Sequence, residues 1–404
     1  MLEVKKGKEQ HRRRPESTGT PRRRMTREER RRLQMKRRLR KRRLVIAAMI
    51  GVLLCIVLAI AGIVVLVRTL AGNKEETTKG NQQARDLTIS GEAPQEEEET
   101  QPPVSITVSA VGDCILGTDV NFNQDKSLNA YYNSNGAAYF LQNVKSIFEA
   151  DDLTIVNMEG TLTESNDRRD KEFAFKGPGE FTQILTSGGV EAANLANNHI
   201  HDYGEQGYTD TINYMEQAGI TTFGYERTAV LDVNGVKVGL VGTYELALGM
   251  DCEAEMIENI KAVENEGAQV VIVSFHWGQE KVNYPDDNQK ALAHSAIDNG
   301  ADLVLGHHPH VLQGIEEYKG KNIVYSLGNF CYGGSSNPVG KDTMIFQQTF
   351  TVENGELVED NVTNIIPCTV SSASGYNNYQ PTPLDGSEKE RILQAIEEYS
   401  SGLQ

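Results

Sequence analysis

The chain has 404 residues, 39% of them hydrophobic and 24% charged, with a formal net charge of −16. That length leaves room for one large domain or two smaller ones plus extra segments. Five cysteines, at 55, 114, 252, 331 and 368, show no CxxC spacing, which argues against a zinc ribbon.

The average charge conceals two opposed parts. Residues 1–43 hold 20 Lys+Arg against 5 Asp+Glu, net +15, and the remainder holds 20 against 51, net −31. The basic block is rich in RRR and KRR runs without apolar periodicity, as in a disordered tail. By itself it would fit a nucleic-acid arm. The next stretch, 44–67, is 24 residues without a charge. As a helix it extends about 36 Å, enough to span a hydrocarbon core of about 30 Å. A cleaved signal peptide would carry a shorter apolar region and a small-residue cleavage site, and no such site precedes Arg68. By the positive-inside rule the N-terminus is expected in the cytoplasm, and the rest of this single-pass chain outside the cell membrane. The basic tail then serves as a topology signal and a contact to anionic lipid, so no nucleic-acid partner is expected. Residues 68–103, with EEEE at Glu96–Glu99, read as an acidic, disordered linker.

From 104 to 368 strand-like and helix-like runs alternate, the pattern of an α/β domain. Expected strands are Ser105–Val111, Leu153–Val156, Glu191–Ala196, Gln269–Phe275, Leu303–Leu305 and Asn322–Ser326. Expected helices are Tyr139–Glu149, Phe181–Ser187, Thr209–Gln217, Glu255–Asn265 and Asn288–Asp298. Hairpins are expected at Asn234-Gly235 and Asn354-Gly355. Residues 369–404 read as a tail, with a short amphipathic helix near Ser387–Tyr399 that packs back. Cys114 and Cys331 flank strand ends and fit either buried thiols or a bridge.

The strand ends carry the chemistry. The run Leu303-Val304-Leu305-Gly306 opens onto His307, His308 and His310. In an HxH on extended backbone alternate side chains leave on one side, so His308 and His310 can converge. The same event recurs: strands deliver Asp113, then Asn157-Met158-Glu159, then Asn198-His199, then His276. In open α/β sheets ligands bind beyond the carboxyl ends of strands. Mixed imidazole and carboxylate ligands without cysteine suit Mn, Zn or Fe rather than Ca, as one ion or two. The candidate metal ligands are Asp113, Glu159, Asn198, His276, His307, His308 and His310. His199 is the candidate proton donor, and Asp202 the residue that orients its ring. Arg168, Arg169, Lys171 and Lys176 form a cationic cluster open to two readings, receipt of an anionic substrate or a solvated loop. Trp277 is expected in the core, Glu280 behind the ligands, and Asn329 at the edge of the same face.

These segments, VGDCIL at 111–116, NMEGTLT at 157–163, NLANNHIHDYG at 194–204, SFHWGQE at 274–280, LGHHPHVLQG at 305–314 and YSLGNF at 325–330, resemble the capsule-synthesis CapA family of polyglutamate-capsule proteins. That family is related to calcineurin-like metallophosphoesterases. The resemblance implies a four-layer α/β/β/α domain. It also implies that Asp113 is the first-motif metal aspartate and that Glu159 stands at the bridging position. Asn198 and His199 resemble the metal amide and catalytic histidine, His276 the fourth-motif ligand, and His308 and His310 the terminal pair. His307 leaves the register of that pair open. Two positions depart from the phosphoesterase pattern: DxH is replaced by Asp113-Cys114-Ile115, and the bridging residue is a glutamate. The resemblance implies a role in capsule or poly-γ-glutamate synthesis or export, with other capsule-synthesis membrane proteins as partners. Two functions fit: a metal-dependent hydrolase acting on a phosphoester or on the anionic polymer, and a non-catalytic metal-binding component of an assembly complex. A net charge of −31 repels a polyanion at long range, so polymer contact calls for the metals or the 168–176 cations.

Overall fold

In the computed structural model of the protein, residues 102–403 are described. The basic tail, the 44–67 stretch and the linker up to Gln101 lie outside them. Among the described residues no helix is long and apolar enough to cross a membrane.

Four strands run parallel and in order: β1 (Val104–Ile115), β2 (Leu153–Met158), β3 (Ala192–Asn194) and β4 (Thr221–Phe223). A second sheet contains β5 (Ala229–Val233), β6 (Val236–Tyr244), β7 (Val270–His276), β8 (Leu303–His307), β9 (Ile315–Tyr318) and β10 (Lys321–Val324). Its order is β9-β10-β8-β7-β6-β5, with β6, β7, β8 and β10 parallel. The chain then returns to the first sheet. β11 (Asn329–Tyr332) pairs with the end of β1, and β12 (Asp342–Glu353), β13 (Glu356–Thr369) and β14 (Thr382–Pro383) extend the other side antiparallel.

Every residue of β7, VVIVSFH, is buried, as expected for a parallel strand covered on both faces. The two sheets share one apolar core: Ile106, Val108, Ala110 and Ile155 meet Val238, Leu240, Ile272 and Leu305. A second core lies on the opposite face of the first sheet. There Val111, Val156 and Ala193 meet α1 (Leu128–Asn135), α2 (Lys145–Phe148), α3 (Thr182–Gly188) and α4 (Gly204–Gln217) through Leu128, Phe148, Ile184 and Met215. α5 (Glu253–Asn265) packs on β6, so closely that a Cβ at Gly239 would meet Val263 at 2.7 Å. α6 (Asp287–Asp298) lies against β8 and begins with a capping box between Asp286 and Gln289. The result is a mixed α/β domain with two principal sheets.

Several expectations need correction. The expected helix Tyr139–Glu149 is a 3-10 turn at Ala137–Tyr139 followed by the four residues of α2. Its apolar spacing reflects the burial of Phe140, Leu141, Val144 and Phe148 rather than a continuous helix. The strand expected at Glu191–Ala196 stops at Asn194, whose side-chain oxygen accepts the Ala196 N–H at 3.1 Å and turns the chain. Residues beyond Thr369 are more than a tail. They supply β14, while the expected terminal helix forms as α7 (Gly386–Ser400) and packs back, placing Ile392 and Ile396 in the core between the sheets. Both Asn-Gly hairpins form, with Asn234 and Asn354 at φ 52° and 54° and glycines following. Cys114, Cys252, Cys331 and Cys368 are free and buried, so Cys114 and Cys331 are thiols rather than a bridge.

Candidate metal centre

Cross-strand register assembles the site. Asp113 pairs with Asn157, and Asn157 with Asn194, across β1, β2 and β3. In the second sheet Tyr244 pairs with His276, and His276 with His307. All these residues lie toward the carboxyl ends of parallel strands. Asp113 is not at a strand end, as the apolar pattern suggests, but within β1, which continues to Ile115. The register shifts between Ala110 and Asp113, a bulge of the kind that re-aims a side chain. Gly112 makes this possible, since a Cβ there would sit 2.2 Å from the Gly328 carbonyl oxygen.

The Asp113 carboxylate is fully buried and held on both oxygens. Asn157 Nδ2 donates to Oδ1 at 2.7 Å, the His308 backbone N–H donates to Oδ2 at 3.1 Å, and His310 Nδ1 lies 3.0 Å from Oδ2. His310 Nδ1 is also 2.9 Å from Asn329 Oδ1. Two acceptors on Nδ1 fix the proton there and leave Nε2 facing Glu159 Oε1 at 3.9 Å. His276 Nε2 lies 3.5 Å from Glu159 Oε1 and 3.1 Å from Asn198 Oδ1. Glu159, His308 and His310 offer one ligand atom each within 4.8 Å of one another.

His308 and His310 converge, but not by alternation on extended backbone. Their φ angles are 97° and 58°, a left-handed conformation that costs energy in residues other than glycine. Strand spacing therefore gives the right pair for the wrong reason. His307, the last residue of β8, places Nδ1 3.6 Å from Asp113 Oδ1.

The electrostatics are those of a buried, crowded site. Burial pulls the His310 pKa down, but the charge of Glu159 and the hydrogen bond to Asp113 outweigh it and lift the ring to about 9. Burial pushes Asp113 up, yet His310 overrides it and holds the carboxyl below the usual range. Burial raises Glu159 to about 7, against the His310 charge. Burial lowers His276 to about 3 and His307 to about 4, keeping both rings neutral and available as ligands.

Both Glu159 oxygens are buried without a hydrogen-bond partner, as are both ring nitrogens of His307 and Nδ1 of His308. A desolvated carboxylate without partners is costly, and a cation among imidazoles would remove that cost. The donor set therefore fits a divalent ion.

His199 lies at the rim, with Nε2 3.9 Å from Glu159 Oε1 and Nδ1 2.7 Å from Asp202 Oδ2. Lys171 Nζ approaches Asp202 Oδ1 at 2.7 Å and His199 Nδ1 at 3.1 Å. The basic cluster is no free cationic loop: Arg168 pairs with Asp119 at 2.8 Å, and Lys176 Nζ donates to the Ser165 carbonyl at 2.9 Å. Trp277 is a core residue, stacked on Phe275 with ring centroids 4.3 Å apart. Glu280 contributes charge at His310.

The structure thus brings all nine sequence candidates into one constellation. Asn157 is the residue the sequence reading misses. It sits in NMEGTLT two residues before Glu159, and its position one register step from Asp113 appears only once the strands are paired.

The family model for the bacterial capsule synthesis protein PGA_cap matches residues 107–333. The chain is 29% identical over 318 residues to the capsule biosynthesis protein CapA of Bacillus anthracis, covering 72% of each chain. It is 32% identical over 248 residues to the PGA biosynthesis protein CapA of Bacillus subtilis (strain 168), covering 56% of this chain and 63% of that protein. A solved hypothetical protein from Thermus thermophilus aligns with 65% of this chain and 98% of its own, at 16% identity and a TM-score of 0.42. With more than half its length inside the family match, the chain belongs to the bacterial capsule synthesis protein PGA_cap family.

Proposed function

We propose that this is a surface-anchored protein of capsule or poly-γ-glutamate synthesis, with a metallophosphoesterase-like α/β/β/α domain whose cleft holds one or two divalent ions. Its relatives named for capsule and PGA biosynthesis support the setting. The stretch 44–67 serves as the single-pass anchor, with the basic tail cytoplasmic and the domain extracellular. The observation that carries the metal-dependent hydrolase reading is Glu159, buried with both oxygens unpartnered and facing His276 and His310.

Glu159, His308 and His310 hold the first ion, with Asp113, Asn198, His276 and His307 completing the set; Mn, Zn and Fe match these donors. Such an ion supplies electrophilic polarisation of an oxyanion and a lowered pKa for coordinated water. The protein's own groups do the rest. Asp202 holds His199 by Nδ1, so Nε2 is the atom from which a proton passes to a leaving oxygen. Lys171, beside that pair, offsets the acidic surface where an anionic substrate enters.

One observation favours a non-catalytic assembly role instead. Where the phosphoesterase first motif has a histidine, Ile115 is buried at 1% exposure and offers no ligand. The two readings separate in one experiment on the full chain: elemental analysis for bound metal, and turnover of an aryl phosphodiester and monoester with added Mn or Zn, beside His199→Ala and His308→Ala. One or two ions per chain with activity lost in both variants supports the hydrolase. Bound metal without turnover supports the assembly component, and no bound metal rejects the centre itself.

A further inference from the structure

A cavity of about 210 Å³ lies outside the metal centre, lined by Thr118, Phe122, Lys126, Ser335 and Ser336 among others. Its lining includes no Asp or Glu. That is notable where the chain beyond residue 43 carries 51 acidic residues against 20 basic ones. Thr118 is 5% exposed, and its hydroxyl is buried without a hydrogen-bond partner. A hydroxyl left in that state costs stability unless a ligand accepts from it. Rings connect the cavity to the centre: Phe122 lies 6.3 Å from Phe175, and Phe175 lies 4.6 Å from His199. On the other wall Gly333 follows Tyr332, whose ring is 5.8 Å from His310.

We propose that this cavity is a subsite for a carboxylate-bearing glutamyl chain, seating one carboxylate against Lys126 and the hydroxyls of Thr118, Ser335 and Ser336 while the chain crosses Phe122 and the exposed ring of Phe173, 5.9 Å from it, toward the centre. This rests on the capsule-polymer reading above. A compact ammonium and hydroxyl donors match a carboxylate. The apolar ring surface matches the methylenes between successive carboxylates. An acid-free lining removes the local part of the repulsion that the rest of the surface exerts.

The test is equilibrium binding of a fluorescent γ-linked tetraglutamate to the full chain in EDTA, so that the metal centre takes no part. Uncharged tetraglutamine and inorganic phosphate serve as competitors. Tetraglutamate is expected to bind, with neither competitor displacing it at equal concentration. Lys126→Met should weaken it about tenfold or more, and Thr118→Val severalfold. Metal affinity, titrated separately, should be unchanged in both variants, which also shows that they are folded. Binding unaffected by Lys126→Met, equal competition by tetraglutamine or phosphate, or binding that appears only when metal is restored would each overturn the subsite. The last outcome leaves the metal centre standing, whereas failure of the metal titration removes the centre without bearing on binding in EDTA.

Discussion

Asn157 Nδ2 lies 2.7 Å from Asp113 Oδ1, inside a row of buried amides and acid that crosses three parallel strands. Asn194 Nδ2 donates to Asn157 Oδ1 at 3.1 Å, and Asn157 Nδ2 lies 3.3 Å from His276 Nδ1. One amide thus aims an acid from the first sheet and an imidazole from the second.

Replacing it with an apolar residue of similar size should therefore affect both sheets. Asn157→Leu leaves Asp113 Oδ1 and the Asn194 amide buried without a partner, at a cost of about 1–3 kcal/mol in unfolding free energy. Metal affinity should fall about 10–100-fold, as is usual when a partner behind the ligands is removed. Urea unfolding and competition against a chelating dye read the two effects separately. Unchanged metal affinity would show that Asn157 is a core residue only.

Glu159 gives the opposite sign of effect. In the metal-free protein its buried carboxylate faces His276 and His310 without a hydrogen bond. Glu159→Gln removes a desolvated charge, so the metal-free variant should be at least as stable as the parent. The parent should gain about 2.7 kcal/mol at a free metal concentration 100 times Kd. The variant should lose most of that gain, and thermal melts with and without Mn or Zn decide it.

Much of the site was legible because its chemistry lies in short runs attached to apolar strands. HHPH, NNHIHD and FHW each announce polar side chains at the end of a buried segment. The resemblance then distributed roles among residues that the structure brings within hydrogen-bonding or ligand distance. What was not legible depends on tertiary register. The bulge that turns Asp113 inward, the left-handed backbone at His308 and His310, and the Asn194–Asn157–Asp113 row come from strand pairing and close backbone approach, which local spacing does not encode. The same holds for β14, though not for α7, whose amphipathic pattern is plain: SSASGYNNYQPTP looks like a loop, yet it leads into a strand that pairs with β13.

His199 should separate chemistry from metal binding. Its Nδ1 is occupied by Asp202 at 2.7 Å, and its Nε2 lies 3.9 Å from Glu159. His199→Ala should lower turnover of an aryl phosphodiester by about 10²–10⁴-fold while leaving metal content intact. Asp202→Asn should give an intermediate loss, because the ring keeps a partner but loses the carboxylate that fixes its tautomer. If His199→Ala also empties the centre, the residue is a ligand rather than a proton donor.

Far from the cleft, Asp151 makes a pH prediction free of any metal. Burial pushes its carboxyl up to about 6, although Thr154 Oγ1 donates to Oδ2 at 2.8 Å. In the unfolded chain an aspartate titrates near 3.9. Between those values the folded state binds more protons than the unfolded state, so the stability derivative with pH is negative. Asp151 therefore favours folding most below about pH 4, and this contribution is lost as pH rises through about 6. Asp151→Asn cannot ionise and keeps an acceptor for Thr154. The difference in urea midpoint between parent and variant should therefore move in the variant's favour from pH 4 to pH 7.5. A difference that stays constant over that range would mean that Asp151 titrates normally in the folded protein.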